Sequence, residues 1–233
     1  MTAKSIATNR SNPPRPGDPE QRARVIAHYD QLGASYGSEG QQEATGLFGW
    51  ADRRWNNFAR PREINGVMQT IEARSGESIL DVGCGSGTYA KRMSALGAKV
   101  TAVDASPRMV EAIRPHVAES FQADIETLAL GRTFDRVVCL GVLDFVADPA
   151  TCMRRLADHV SEGGFLIVLA PHTGLLGSYY RVAQRLRGIR VNVFHLDDLD
   201  QMARADRFER ESFLRPLPNS IAVRWRCGRG API

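Results

Sequence analysis

Residues 78–87 read Ser78-Ile-Leu-Asp-Val-Gly-Cys-Gly-Ser-Gly87. The first five form a short apolar run of the kind that makes a buried strand, and the glycines stop it. Gly83, Gly85 and Gly87 let the backbone turn tightly and approach a ligand closely. From Gly87 to Leu96 the pattern is helical. A strand, a glycine turn and a helix at this place build the crevice where doubly wound sheets hold nucleotide-like ligands. The spacing is GxGxG, whereas dinucleotide binders carry GxGxxG. Asp81 stands two residues before the first glycine, where a carboxylate repels a pyrophosphate and attracts an ammonium group.

Working outward, strands and helices alternate. Ala98–Val103 reads as a strand ending at Asp104, Pro107–His116 as a helix, and Ser120–Ala123 as a weak strand ending at Asp124. Phe134–Leu140 is a strong strand, Asp148–Val160 a helix with an N-cap and a proline start, and Gly164–Leu169 a buried strand ended by Pro171. Beyond it, Leu175–Leu186 is amphipathic, with Arg181 and Arg185 on one face and Tyr179, Val182, Ala183 and Leu186 as the opposite, apolar stripe. Leu196–Ala205 reads as a helix. Two last strands follow near Phe208–Leu214 and Ile221–Cys227, the latter with Arg224 and Arg226 turned outward. Mostly apolar strands alternating with helices give an α/β fold, a doubly wound, mostly parallel seven-stranded sheet with helices on both faces. Upstream, residues 1–19 are rich in proline and read as a flexible tail without a secretory leader. Residues 20–75 read as an amino-terminal helical lid or cap, with a helix from about Glu20 to Leu32 and another from about Pro61 to Ala73. Residues 76–233 form the catalytic domain, with a helical insertion near 174–205.

Three acids end or nearly end the first three strands. Asp81 suits an amine. Asp104 lies 21 residues after Gly83, where an acidic side chain accepts hydrogen bonds from ribose hydroxyls. Asp124 stands where an adenine ring would lie. A ligand with an amine, a ribose and a base but no phosphate fits this set, and S-adenosylmethionine is such a ligand.

The segment Ile79–Gly87 resembles the first motif of the class I S-adenosylmethionine-dependent methyltransferases. Val103-Asp-Ala-Ser-Pro-Arg-Met109 is similar to their second motif and Ala123-Asp-Ile125 to their adenine motif. Phe134–Val138 with Val142-Leu143 resembles their fourth-strand motif, and Gly163-Gly164-Phe165 the loop before their fifth strand. The resemblance spans about Glu77 to Ala170 and implies a Rossmann-like methyltransferase fold with S-adenosyl-L-methionine as cofactor. It implies that Asp81 meets the amino group, that Gly83 and Gly85 let the backbone run along the methionine part, and that Asp104 holds both ribose hydroxyls. Ala105 and Ser106 would sit beside ribose and adenine, Asp124 would bond the adenine amine with Ile125 as its apolar neighbour, and Leu140 would lie near the sulfonium. Tyr36, in His28–Tyr36, resembles the tyrosine of a lid that closes over the cofactor.

Methyl transfer to oxygen or carbon needs a base. His172, after the fifth strand, is the first candidate general base and is expected at the pocket mouth. Asp144, after the fourth strand, is a second; its plain alternative is a capping or loop carboxylate. Many relatives have Glu-His there, and this chain has Asp144-Phe145. His28 and His195 read as structural. Phe48, Trp50, Trp55 and Phe58 could line an apolar substrate pocket or pack the amino-terminal helices onto the sheet.

Composition narrows the partners. The chain has 233 residues, 43% hydrophobic, with 30 Lys and Arg against 26 Asp and Glu, a net charge of +4. This is a weak phosphate footprint. No Asn-Pro-Pro-aromatic or Asp-Pro-Pro-aromatic motif follows the fourth strand, so nucleic acid is not the expected partner. A small molecule is, with RNA methylation and a catalytically silent binding protein as the alternatives. The basic stretch 181–190 suits a solvated face or an anionic membrane surface. Four cysteines without CxxC spacing suggest reduced thiols, a cytoplasmic setting and no metal centre.

Overall fold

The computed structural model describes residues 20–21, 23–27, 59–186, 188–205 and 207–228. The proline-rich tail, Tyr29, Tyr36, His28 and the aromatic stretch from Phe48 to Phe58 lie outside them. Residues 20–21 and 23–27 are helical.

Seven strands form one sheet: β1 (Ser78–Val82), β2 (Lys99–Asp104), β3 (Glu119–Gln122), β4 (Phe134–Leu140), β5 (Val160–Pro171), β6 (Phe208–Leu214) and β7 (Ser220–Cys227). Their spatial order is β3-β2-β1-β4-β5-β7-β6. The first five run parallel, and β7 is antiparallel to both β5 and β6. The strand order reverses between β1 and β4. That switch point opens a crevice at the carboxyl edge, directly beside the glycine turn.

Among residues 59–228 the α-helices are α1 (Arg60–Ile71), α2 (Thr88–Ala95), α3 (Pro107–Ile113), α4 (Pro149–Ala157), α5 (Leu175–Leu186) and α6 (Leu196–Arg204). Successive strand residues point to opposite faces, and both faces of the central strands are buried. Leu80, Val137, Leu166 and Trp225 pack with Met153 and Leu156 of α4 and Leu199 of α6. Ile79, Val100, Val138 and Ile167 pack with Val67 and Ile71 of α1 and Met93 of α2. Asp148 caps α4 by accepting from Thr151 N at 3.1 Å, and Pro149 takes the first helical position, as the sequence suggests.

Four readings need correction. The helix expected to reach Val160 ends at Ala157, because Val160 already pairs with Phe134 as the start of β5. Gly163 and Gly164 therefore lie inside β5, within a register shift between Phe134 and Arg136, and not in a loop before it. β7 is not half exposed: it lies between two strands, and Arg224 is buried, with its guanidinium on Glu72 and Glu211. Finally, α5 has the expected bounds and exposed arginines, but the apolar stripe is exposed as well, so the helix is not simply a basic face turned to solvent. Gly177 and Gln184 are buried, while Tyr179, Val182 and Leu186 face outward.

Candidate active site

The turn after β1 folds back onto the end of β2. The N–H groups of Gly83 and Cys84 both donate to the Val103 carbonyl, at 2.8 and 3.1 Å. Gly83, Gly85 and Gly87 have φ of 74°, 51° and 78°, in the left-handed region. A Cβ on Gly83 would lie 2.3 Å from Val142 Cγ2, and one on Gly87 would lie 2.0 Å from Ile113 Cδ1. Packing therefore demands these two glycines. A Cβ on Gly85 would meet nothing within 4 Å, because Gly85 borders open space.

That space is a cavity of about 370 Å³. Asp81, Asp104 and Asp124 converge on it, as do Gly83, Gly85, Ala105 and Ser106. Ile125 and Leu140 add apolar wall, so every described cofactor residue named from sequence borders one crevice. Asp81 is 2% exposed, and burial followed by the like charge of Asp104 raises its carboxyl to about 7. Asp104 accepts from Gly85 N and Ser106 N, both at 2.8 Å, one on each oxygen. Ser106 Oγ is engaged in capping α3, accepting from Met109 N at 3.2 Å. Asp124 Oδ1 accepts from Glu126 N at 2.8 Å.

A second cavity, of about 400 Å³, adjoins the first. Arg60, Thr88, Tyr89, Leu140 and Gly141 line both. Asp144 lies in its wall, 3% exposed. Its Oδ2 accepts from the Tyr180 hydroxyl at 2.9 Å. Its Oδ1 is buried and has no hydrogen-bond partner among the described residues. Burial raises this carboxyl to about 6, against the Tyr180 hydrogen bond that lowers it. Asp144 is no helix cap, since Asp148 caps α4. Its loop is pinned by Asn192, whose N–H donates to the Asp144 carbonyl at 2.8 Å. The Asn192 amide reaches the carbonyls of Leu143 and Val146 at 3.2 and 2.9 Å. Glu63 of α1 faces the same cavity, and burial raises its carboxyl too.

His172 does not reach the pocket mouth and borders neither cavity. Its Nε2 lies 2.7 Å from an Arg215 nitrogen. A guanidinium only donates, so Nε2 accepts and the ring proton sits on Nδ1, against the Thr173 carbonyl. Both ring nitrogens are engaged, which leaves no free base. His195 stands at the N-cap of α6 and bonds Thr173 Oγ1 through Nδ1 at 2.9 Å.

Sequence reasoning missed Tyr89, Glu63, Tyr180 and Arg60. Tyr89 follows the glycine turn by two residues and could have been found by counting along α2. Glu63 and Tyr180 come from α1 and α5, distant in sequence, and no spacing rule connects them to Asp144. Val25 and Ile26, among the helical residues 23–27, also border the first cavity.

Residues 80–168 match the profile of a family described as a methyltransferase domain. The mitochondrial ubiquinone biosynthesis O-methyltransferase of Schizosaccharomyces pombe is 32% identical over 168 residues, covering 68% of this chain and 61% of that protein. The chain thus spans about three fifths of the length of this relative. Among solved structures, magnesium protoporphyrin IX methyltransferase from Synechocystis, with bound SAH, superposes with a TM-score of 0.67. It is 17% identical, over 90% of this chain and all of that one. The cyclase SpnF superposes at 0.65 and 17% identity, over 95% of this chain and all of that one. At such identity these two structures establish the fold alone. The matched profile begins in β1 and ends in β5, so the stretch that resembles a methyltransferase domain brackets the glycine turn and the three acids.

Proposed function

We propose that the glycine-turn cavity binds S-adenosylmethionine and that its methyl group passes to a hydroxyl of a small organic acceptor held in the adjoining cavity. The observation that carries this reading is the shared wall: Thr88, Tyr89, Leu140 and Gly141 belong to both cavities. Two partners of an in-line displacement need such adjacency. When bound, the cofactor supplies a methyl group already activated on a sulfonium.

The donor set fits the group. Asp81 is a buried carboxyl suited to an ammonium, Asp104 at the end of β2 suits two ribose hydroxyls, and Asp124 beside Ile125 suits an adenine amine. Gly85 leaves room that a side chain would fill. Asp144 takes the proton from the acceptor hydroxyl. With its carboxyl at about 6, it is ionised at neutral pH and still basic enough to accept a proton. Tyr180 holds one oxygen, and the other is buried with no partner among the described residues, so the acceptor hydroxyl reaches it only as the cavity wall gives way. The name of the Schizosaccharomyces pombe relative, an O-methyltransferase, agrees with a hydroxyl acceptor.

The test is calorimetric titration with S-adenosylmethionine, followed by transfer of labelled methyl to a panel of phenols, alcohols, amines and carboxylic acids. Binding together with labelling of hydroxyl compounds is expected. Absence of binding sinks the cofactor assignment, and labelling confined to amines sinks the role of Asp144.

A further inference from the structure

A helix on a globular domain turns its apolar stripe to the core. α5 does the reverse. Leu175, Tyr179, Val182 and Leu186 follow at steps of four, three and four residues, so they share one face. They are 92%, 72%, 57% and 85% exposed. The inward face is carried by Gly177, Tyr180 and Gln184, two of them polar. The inward fit is close: a Cβ on Gly177 would fall 2.0 Å from the His172 carbonyl oxygen. The outward stripe is thus set by how α5 seats on the domain.

Charge beside the stripe is of one sign. Arg181 and Arg185 are exposed, and each directly precedes a residue of the stripe. Arg190 follows the helix. From Gly163 to Leu196 the chain contains no Asp or Glu. An acidic protein partner would satisfy the arginines but gives no reason for four bare apolar side chains in a line. An anionic bilayer accounts for both. The leucines, Val182 and the Tyr179 ring enter the boundary between headgroups and acyl chains. The arginines lay their stems along that boundary and place their guanidinium groups on lipid phosphates.

From this arrangement we infer that the outer face of α5 docks the protein on an anionic lipid surface. Docking needs no cofactor and goes beyond the methyl-transfer reading. Tyr180, on the opposite side of the same helix, lines the Asp144 cavity. If that cavity holds the acceptor, as proposed above, docking brings one of its walls to the lipid and favours acceptors that partition into membranes.

Vesicle flotation tests the inference. The full chain is expected to float with vesicles of phosphatidylcholine plus phosphatidylglycerol, and to stay behind with phosphatidylcholine alone or at high salt. The double variant Leu175→Ser/Leu186→Ser should lose roughly tenfold or more in partition, from the lost burial of two leucines. Arg181→Gln/Arg185→Gln should lose about tenfold or more on the anionic vesicles. Leu186→Trp should show a blue-shifted emission with those vesicles. All three variants should keep the cofactor affinity of the parent, which separates failure of docking from failure of the cofactor site. Three results overturn the inference: no flotation with either vesicle, a lower melting midpoint in the leucine variant, meaning that another part of the chain covers the stripe, or conversion of a dimer to monomer by that variant, meaning that a second copy covers it.

Discussion

The two ends of the sheet bury charge in opposite ways. Near the amino-terminal ends of β1 and β4, Arg136 is fully buried and its charge is matched. Its guanidinium donates to both oxygens of Glu77, at 2.7 and 3.0 Å, and to the Ile71 carbonyl at 2.8 Å. Arg224 pairs with Glu72 at 2.8 Å and with Glu211, and both guanidinium groups lie over the Phe165 ring, at 4.8 and 4.6 Å. The Arg224 hydrogen bond holds Glu72 below the usual carboxylate range. Burial raises Glu77, and the Arg136 contacts outweigh it and hold this carboxyl low as well. At the carboxyl ends of the same strands, burial wins. Asp81 rises to about 7 and Asp144 to about 6. A matched buried charge is costly to leave without its partner, while raised carboxyls keep a capacity to take up a proton or a cationic ligand. The lower end holds the sheet together, and the upper end keeps that capacity at a cost in stability.

Four substitutions and two titrations break or sharpen this contrast. The largest effect falls on turnover. Asp144→Asn is expected to lower kcat by roughly 100-fold or more, the range for loss of a general base, with cofactor affinity unchanged by calorimetry. In the parent, kcat/KM should rise with pH through about 6 as Asp144 loses its proton. Equal turnover in the variant would move the base elsewhere. Next comes the lower end. Glu77→Gln leaves Arg136 buried without a countercharge and should destabilise by about 3 kcal/mol in a urea titration. A change well under 1 kcal/mol would mean that solvent already screens the pair.

Asp104→Ala should weaken S-adenosylmethionine by at least about 1.5 kcal/mol, the low end for hydrogen bonds to a charged group. It also removes the acceptor for Gly85 N and Ser106 N, so a crystal structure of the variant is expected to show the turn shifted. The titration of Asp81 follows. Its carboxyl is raised in the native state, so its protonated form favours folding. This contribution is present below the unfolded value of 3.8 and is lost as pH rises from there to about 7. An ammonium ligand binds the ionised form. Affinity should therefore climb with pH by up to about tenfold per unit below pH 7, with a proton released to buffer. Equal binding enthalpies in buffers of different ionisation heat would contradict it. The smallest effect is structural: Asp148→Ala should cost about 1 kcal/mol through the lost cap on α4, with the cofactor site untouched.

The glycine turn and the acids at the ends of β1 to β3 were legible because they are local. A strand, a turn with left-handed glycines and a carboxylate at a set distance are all written within a few dozen residues, and the packing of Gly83 on Val142 and of Gly87 on Ile113 gives the reason for two of those glycines. Asp144 and His172 were harder to rank. Both follow a strand at the carboxyl edge, so sequence position treats them alike. Their difference comes from neighbours far away in the chain: Arg215 occupies the His172 ring, whereas Tyr180 and Asn192 hold Asp144 in the wall of the second cavity.

Arg224 was misread, and α5 read incompletely, for one reason. Alternation along a strand, or a stripe along a helix, tells which residues share a face and not what that face meets. For β7, the insertion between β5 and β6 and the cover from α1 turned an apparently outward arginine into a buried, paired one. For α5, the close seat of Gly177 on the His172 carbonyl selected the polar side as the inner one.

The amino-acid sequence by itself determined the order of strands and helices, the crevice at the end of β1 and the acids that border it, because each is encoded by short-range backbone preference and spacing. Only the tertiary structure decided which carboxylate faces the second cavity, which arginines are buried and which side of α5 meets solvent. The first two outcomes depend on contacts between residues 36 to 154 positions apart, as in Tyr180 with Asp144 and Arg224 with Thr70, and the third on how Gly177 seats against the His172 carbonyl; side-chain periodicity carries none of that information.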